Sequence, residues 1–291
     1  MNVKIISALL VLAIASVACG FSIDLPKQAK AGPVIKDSIT VADPKSDETR
    51  LNITFGAGDL KLSSGAQNIV DGTVIYNVKD LKPEVTSTDG NIEIRQGNFE
   101  GIPPFDGMKN KWDLKLSNTP MDLTVTAGVY SGNYNLGRLA LKSLTVKDGA
   151  AEVELNFSQP NKTDMSVFRY ETGASNVKLT GLADANFNSM TFSSGAGDYT
   201  LDFSGELKHD ATVNLSSGLS NLIVVVPAGV NANVTLEGGL ANVSAGSGWS
   251  QNGNIYSQAG SGPTLTFIIK MGAGNLKLTA LKNPPQARSG G

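Results

Sequence analysis

The sequence predicts an all-β fold: a solenoid of about 22-residue coils preceded by a less regular amino-terminal β-domain. Three observations carry this. A glycine-centred motif recurs eight times, with starting glycines Gly56, Gly128, Gly149, Gly173, Gly195, Gly218, Gly239 and Gly272. Apolar pairs flank the copies at fixed distances. No helical periodicity follows residue 20. One such unit cannot bury its own apolar face, whereas stacked units bury a continuous core. An antiparallel sandwich is the rival geometry.

The chain begins with MNVKIISALLVLAIASVA at 1–18, in which Lys4 precedes an apolar run from Ile5 to Ala15. A run of about 11 residues suits a secretory signal and is too short for a bilayer core of about 30 Å. Ser16, Val17 and Ala18 then lead to Cys19, the one cysteine of the chain. This resembles the lipobox of bacterial lipoproteins, with Ser16 where Leu is usual. Cys19 is therefore expected to be lipidated, each buried CH₂ of its acyl chains contributing about 0.8 kcal/mol to membrane attachment. Ordinary cleavage after Ala18, giving a secreted protein, is the alternative. Residues 19–47 contain Pro26, Pro33 and Pro44 and read as the lipidated Cys and a flexible tether.

Residues 48–140 read as the amino-terminal β-domain. Asp71-Gly72 and Asp89-Gly90 stand between alternating apolar residues and predict hairpin turns. IPPFDG at 102–107 predicts a loop. The glycine motif at 128 has the form GVYSGNYNL, which reads as a variant with two extra residues.

Residues 141–282 read as regular coils. Successive glycines from 128 to 239 lie 21, 24, 22, 23 and 21 residues apart, and the step to Gly272 is 33, one period plus an insert of about 11. Apolar residues stand five and three before the glycine (Phe168 and Tyr170, Met190 and Phe192) and four and six after it (Val177 and Leu179, Tyr199 and Leu201). Each pair alternates with polar residues, the mark of a half-buried strand. Seven residues separate the two pairs, an odd number, so unbroken alternation would turn one pair outward. The chain must bend at the glycine, whose dihedral freedom suits a corner. The small apolar residue after it (Ala57, Ala174, Leu219, Ala273) is expected inside that corner. Residues 283–291 (NPPQARSGG) read as a disordered tail.

The stretch at 52–96, with GAGDLKL, Gly65 to Gly72, YNV, LKPEV and Gln96, resembles the amino-terminal toast-rack domain of bacterial envelope proteins. The later GAG[DN]-type coils resemble the carboxy-terminal toast-rack repeat of adhesin-type and cell-wall-active-antibiotic response proteins. The resemblance implies an extended right-handed β-solenoid in the cell envelope, with no catalytic residues to carry over.

Composition narrows the chemistry. With 24 Lys+Arg, 26 Asp+Glu and a net charge of −2, the chain lacks the basic field that nucleic acid requires. One Cys and one His exclude a disulfide framework and a zinc site built from several such ligands. No cofactor is expected. Asp59, Glu152, Asn176, Asp198, Asn221, Asn242 and Asn275 all lie three residues after a repeat glycine. Stacking would align them, either as a calcium or hydrolytic carboxylate row or as a turn row bonded to backbone. The second reading is favoured, because Asn dominates and is a weak metal ligand. His209 stands alone in GELKHD and reads as solvated. Trp249, in the insert, and Tyr256, which follows, are the candidate binding residues for a sugar ring or a partner, with a hairpin plug or coil cap the favoured reading.

The function expected is that of a non-enzymatic, lipid-anchored envelope scaffold or adhesin-like protein. Its partners would be the membrane and a cell-wall polysaccharide or envelope protein. An accessory role in envelope stress and a carboxylate-based carbohydrate hydrolase or lyase are the other readings.

Overall fold

Seven long strands, each carrying one repeat glycine near its middle, form the body of the protein. A computed structural model describes residues 30–46, 48–97 and 107–280. The signal segment, Cys19, residues 102–106 of the expected loop and the tail lie outside the described residues. In chain order the strands are β1 (Ile35–Val41), β2 (Thr49–Ser64), β3 (Val70–Tyr76), β4 (Pro83–Thr88), β5 (Asn91–Gln96), β6 (Asn110–Leu116), β7 (Met121–Asn135) and β8 (Leu141–Asn156). They continue with β9 (Met165–Thr180), β10 (Phe187–Asp202), β11 (Ala211–Val225), β12 (Gly229–Leu236), β13 (Leu240–Ala245), β14 (Trp249–Asn252), β15 (Ile255–Gln258) and β16 (Gly260–Thr279). No helix among the described residues is long and apolar enough to cross a membrane.

The stack runs β2-β7-β8-β9-β10-β11-β16, and every pairing in it is parallel. Successive winding coils, not face-packed antiparallel layers, make the molecule. Each coil is one bent strand of 15 to 20 residues rather than two strands around a corner. The residues before the glycine form a first arm and those after it a second.

Side chains five, three and one before the glycine point inward, and so do those two, four and six after it. Between minus one and plus two the alternation slips, and there the strand bends. Across the bend the arms face each other: Phe192 and Tyr199, both of β10, meet at 5.3 Å and 69°. Along the stack Phe192 lies over Tyr170 at 5.5 Å and 26°. Such ring pairs contribute about 0.5–1.5 kcal/mol beyond their burial.

The corner glycines serve a purpose other than dihedral freedom. Gly128, Gly149, Gly173, Gly195, Gly218 and Gly272 have no positive φ. A Cβ on Gly173 would instead lie 2.5 Å from the carbonyl oxygen of Gly149, one on Gly195 2.5 Å from that of Gly173, and one on Gly218 2.6 Å from that of Gly195. Coil-to-coil approach excludes the side chain. Left-handed φ occurs two residues later, at Gly58, Gly197 and Gly274. The small apolar residue after the corner lies outside it, not inside: Val129 and Leu219 are each 66% exposed. The phase slip explains this, because it turns plus two inward and leaves plus one outward.

GVYSGNYNL contains no extra residues. Val129↔Ala150 through Asn135↔Asn156 pair without interruption. Gly132 takes the place of Val153, and the rings of Tyr130 and Tyr134 crowd the space its side chain would need, at 2.8 and 3.3 Å from a built Cβ.

At the carboxy-terminal end spatial order departs from chain order. The Gly272 coil sits between those of Gly218 and Gly239: β16 pairs β11 on one side and β12 and β13 on the other. The bulkier set takes the interior place. Leu265, Phe267 and Leu278 of β16 are 0% exposed, and Phe267 meets Phe203 at 5.0 Å. The outer coil has the smaller Ala232 and Val234 and is split at Gly238 and Gly239, both at positive φ.

The amino-terminal end is closed similarly. β5 and β6 continue the two arms of β2 in parallel, then β4 pairs β5, β3 pairs β6 and β1 pairs β3, all antiparallel. The exposed corner of β2 is capped by side chains: Gly56 N–H donates to Gln96 Oε1 at 3.0 Å, and Asn110 Nδ2 donates to the Ala57 carbonyl at 2.6 Å. Residues 35–41, expected as tether, are strand β1, because Ile39 and Val41 seal the core. Asp89-Gly90 is the turn between β4 and β5. Asp71-Gly72 is not a turn but lies inside β3; Asp71 accepts from the backbone N–H groups of Gln67 and Asn68, and Gly72 admits the Asp113 carbonyl.

Candidate functional site

Register converts each sequence position into a row along the stack. Three residues after the corner, Asp59, Ser131, Glu152, Asn176, Asp198, Asn221, Asn275 and Asn242 are neighbours in that order. The row is on the outer surface, and from Asp198 to Asn242 it is an amide ladder rather than a set of backbone turns. Asn221 Nδ2 donates to Asp198 Oδ1 at 2.7 Å, and Asn275 Nδ2 to Asn221 Oδ1 at 2.7 Å. Parallel in-register strands present the side chains to one another, so they bond sideways. The carboxylates of Glu152 and Asp198 are separated by Asn176, two strand spacings of about 4.8 Å. Among the described residues no group of three His, Cys, Asp or Glu could hold a metal ion.

The outer face of the first arm is rich in hydroxyl and amide groups. Thr124, Thr145, Thr191 and Asn214 stand on it four residues before their glycines, with Arg169 between. The charges there are dispersed and partly paired, as Lys147 with Glu171 at 3.5 Å. Exposed pairs of this kind contribute little stability.

Inside the corner runs a polar seam that the sequence reading passed over. Asp148, half-buried, accepts from Tyr170 Oη at 2.7 Å and from the Thr172 hydroxyl. Tyr130 Oη is 3.4 Å from the same carboxylate and accepts from Tyr134 at 2.9 Å. Farther along, Ser194 donates to Ser217 at 2.8 Å and Ser217 to Ser220 at 2.6 Å. The signal was available: Asp148 occupies the inward minus-one position, held by Ala127, Thr172, Ser194 and Ser217 in other coils. A carboxylate there needs several hydroxyl donors, since burying a charge without partners is costly.

Burial, foremost, holds the phenols of Tyr130, Tyr134 and Tyr170 above the usual tyrosine range, and the Asp148 charge raises them further. Tyr76 is pushed up to about 12 by burial and by its bond to Asp37. A phenol whose pKa is raised on folding binds its proton more tightly than the unfolded chain does. Its stabilisation is fully present below about pH 10 and is lost as pH rises above that. In an alkaline titration most tyrosinate absorbance should therefore appear together with loss of the β-sheet circular dichroism. Smooth ionisation near pH 10 with the fold intact would contradict the seam.

Tyr256 is 6% exposed and belongs to the core, and Trp249 packs against that core from β14. The hairpin β14–β15 extends the first arm beyond β12, so both rings close the end of the stack. His209 is half-buried in the β10–β11 connection, its Nδ1 3.1 Å from the Asp210 carbonyl.

The family model described as the N-terminal domain of toast_rack, DUF2154, matches residues 30–180. That span begins before β1 and reaches the end of β9. No curated protein matches the chain. Among solved structures it is similar to a putative cell adhesion protein from Clostridium sporogenes ATCC 15579, at 20% identity and a TM-score of 0.49, covering 86% of this chain and 100% of that one. It is similar also to a putative adhesin from Bacteroides fragilis NCTC 9343 (12% identity, TM-score 0.35, 87% and 100% covered). A third is a putative lipid binding protein from Parabacteroides distasonis ATCC 8503 (10% identity, TM-score 0.38, 87% and 99% covered).

Proposed function

The chain belongs to the toast-rack family, and on that premise we propose that it is a non-enzymatic, lipid-anchored scaffold of the cell envelope, adhesin-like in offering a rigid surface to a polymer or partner. The observation that carries this reading is the parallel register of seven coils, shifted only at Met121/Asp122 where β7 meets β8. Register makes the outer faces regular, setting hydroxyl, amide and scattered charged groups about every 4.8 Å along the stack. Such a surface suits a repeating ligand, for instance the sugar hydroxyls of a wall polysaccharide, and needs no enclosed pocket. The anchor is Cys19, joined to the body by the residues before β1. Export places the rod outside the cytoplasm, in reach of the wall.

Fractionation of cells producing the full precursor, followed by binding of the released protein to peptidoglycan and polysaccharide arrays, tests both parts. Wild type should sediment with membranes and Cys19→Ser should move to the soluble exported fraction. On the arrays, Thr145→Lys and Thr191→Lys together should reduce binding at least tenfold. A wild-type chain with an unmodified Cys19 would remove the anchor. A chain that binds no envelope polymer or protein would remove the scaffold.

A further inference from the structure

The carboxy-terminal end of the stack is stepped. Beyond β16 the first arm continues through β12, β15 and β14, whereas the second continues through β13 alone. The first arm thus overhangs β13 by two strand places, about 10 Å. Among the described residues nothing pairs with the outer edge of β13.

The other three terminal edges carry features that discourage pairing. β1 has Lys36 and an inward Asp37, β4 starts with Pro83 and Glu84, and β14 is four residues long. β13 reads LANVSA, with neither a charge nor a proline. Its core positions are unfinished. Val243 is half-buried and Ala245 exposed, where Leu276 and Leu278 of the adjoining coil are 1% and 0% exposed. On the overhang, Gln258 is 5% exposed; its Nε2 donates to the carbonyls of Pro227 and Val230, while its buried Oε1 bonds to nothing among the described residues. Trp249, its cross-strand partner, has a buried Nε1–H that is also unpartnered. A backbone edge, two unfinished core positions and an unpaired donor and acceptor therefore coincide at one end of the rod.

We propose that β13 is the docking edge for an extended, uncharged segment of a partner protein, which adds to the second arm as a strand in the step beside the β14–β15 hairpin. Main-chain hydrogen bonds would supply affinity, and apolar side chains over Val243 and Ala245 would supply selectivity. A second copy fits poorly. Edge to edge, the two hairpins would collide, since each projects past its own β13. Head to tail, the inward Asp37 of β1 would lie against Val243. A single strand occupies the step without either conflict. This proposal needs only the end of the stack and is independent of the polar-face reading.

A synthetic peptide copying Gly218–Val225 (GLSNLIVV), an uncharged second-arm strand, is the probe, with a scrambled peptide as control. Added to the full chain, it should shift Trp fluorescence saturably and slow amide exchange in Leu240–Ala245 at least tenfold. Val243→Lys, an inward charge, should weaken binding at least tenfold, as should the milder outward Ser244→Lys, and Thr145→Lys should leave it unchanged. The proposal is overturned if β13 exchange does not slow, or if both edge variants bind like wild type. It is equally overturned if the protein self-associates through β13, or if those amides exchange slowly until residues 281–291 are removed. The first of these results gives the edge to a second copy and the last to the chain's own tail.

Discussion

Gly195→Ala should lower stability by about 1–3 kcal/mol, read from urea unfolding. The new Cβ would stand 2.5 Å from the Gly173 oxygen, and the Gly195 oxygen is itself 2.6 Å from the Cβ site of Gly218. Relief would need backbone movement against coils packed on both sides. Reduced freedom of the unfolded chain offsets only about 0.4–1 kcal/mol. Gly246→Ala is the matched control, because its nearest foreign atom is the Leu278 oxygen at an ordinary 3.5 Å; it should change stability by about 0.5 kcal/mol or less. Gly197→Ser makes a sharper comparison. As it stands, Gly197 has φ +148° and its Cβ site lies 1.9 Å from the Ser175 oxygen. Yet Ser175 and Ser220 hold the same place in the flanking coils without positive φ. The corner thus has a second conformation open to it, and Gly197→Ser should cost less than Gly195→Ala. Equal costs for Gly195→Ala and Gly246→Ala would defeat the account of the corner column.

A chain ending at Ala259 should lose the whole carboxy-terminal end, although β12 to β15 are all retained. Those strands reach the stack only through β16, which pairs with β11 on one side and with β12 and β13 on the other. Removing it also uncovers Phe203, Leu222 and Val224, which are 0–1% exposed in the intact protein. Burying side chains of this size contributes about 1.5–3 kcal/mol each, so several such losses exceed what one edge strand supplies. Hydrogen exchange should show residues 229–258 unprotected and β7 to β9 still protected. Protection that persists across 229–245 would mean that the Gly239 coil can stack directly on β11 and does not depend on β16.

Much of this architecture is legible in the sequence. Alternation flanking a recurrent glycine places the strands of β8 to β11, and the odd spacing between apolar pairs announces the bend. Other features are not local. The glycines at 128, 149, 173, 195, 218 and 272 look like dihedral devices until the neighbouring carbonyl is seen beside them. Asp71-Gly72 has hairpin chemistry but lies within a strand, because β6 and the preceding turn claim its groups. The candidate ring at Tyr256 is held in the core by the fold-back of its hairpin onto β12.

The amino-acid order by itself determined the coil: its length, its corner and the inward apolar pairs of its two arms. It did so because those depend on neighbours within a dozen residues. Which coil lies beside which was decided only in three dimensions. The motifs at Gly239 and Gly272 are interchangeable as local signals, and the choice between them rests on volume: Leu265, Phe267 and Leu278 are covered on both sides inside the stack, while Ala232, Val234 and Ala245 suffice at its end.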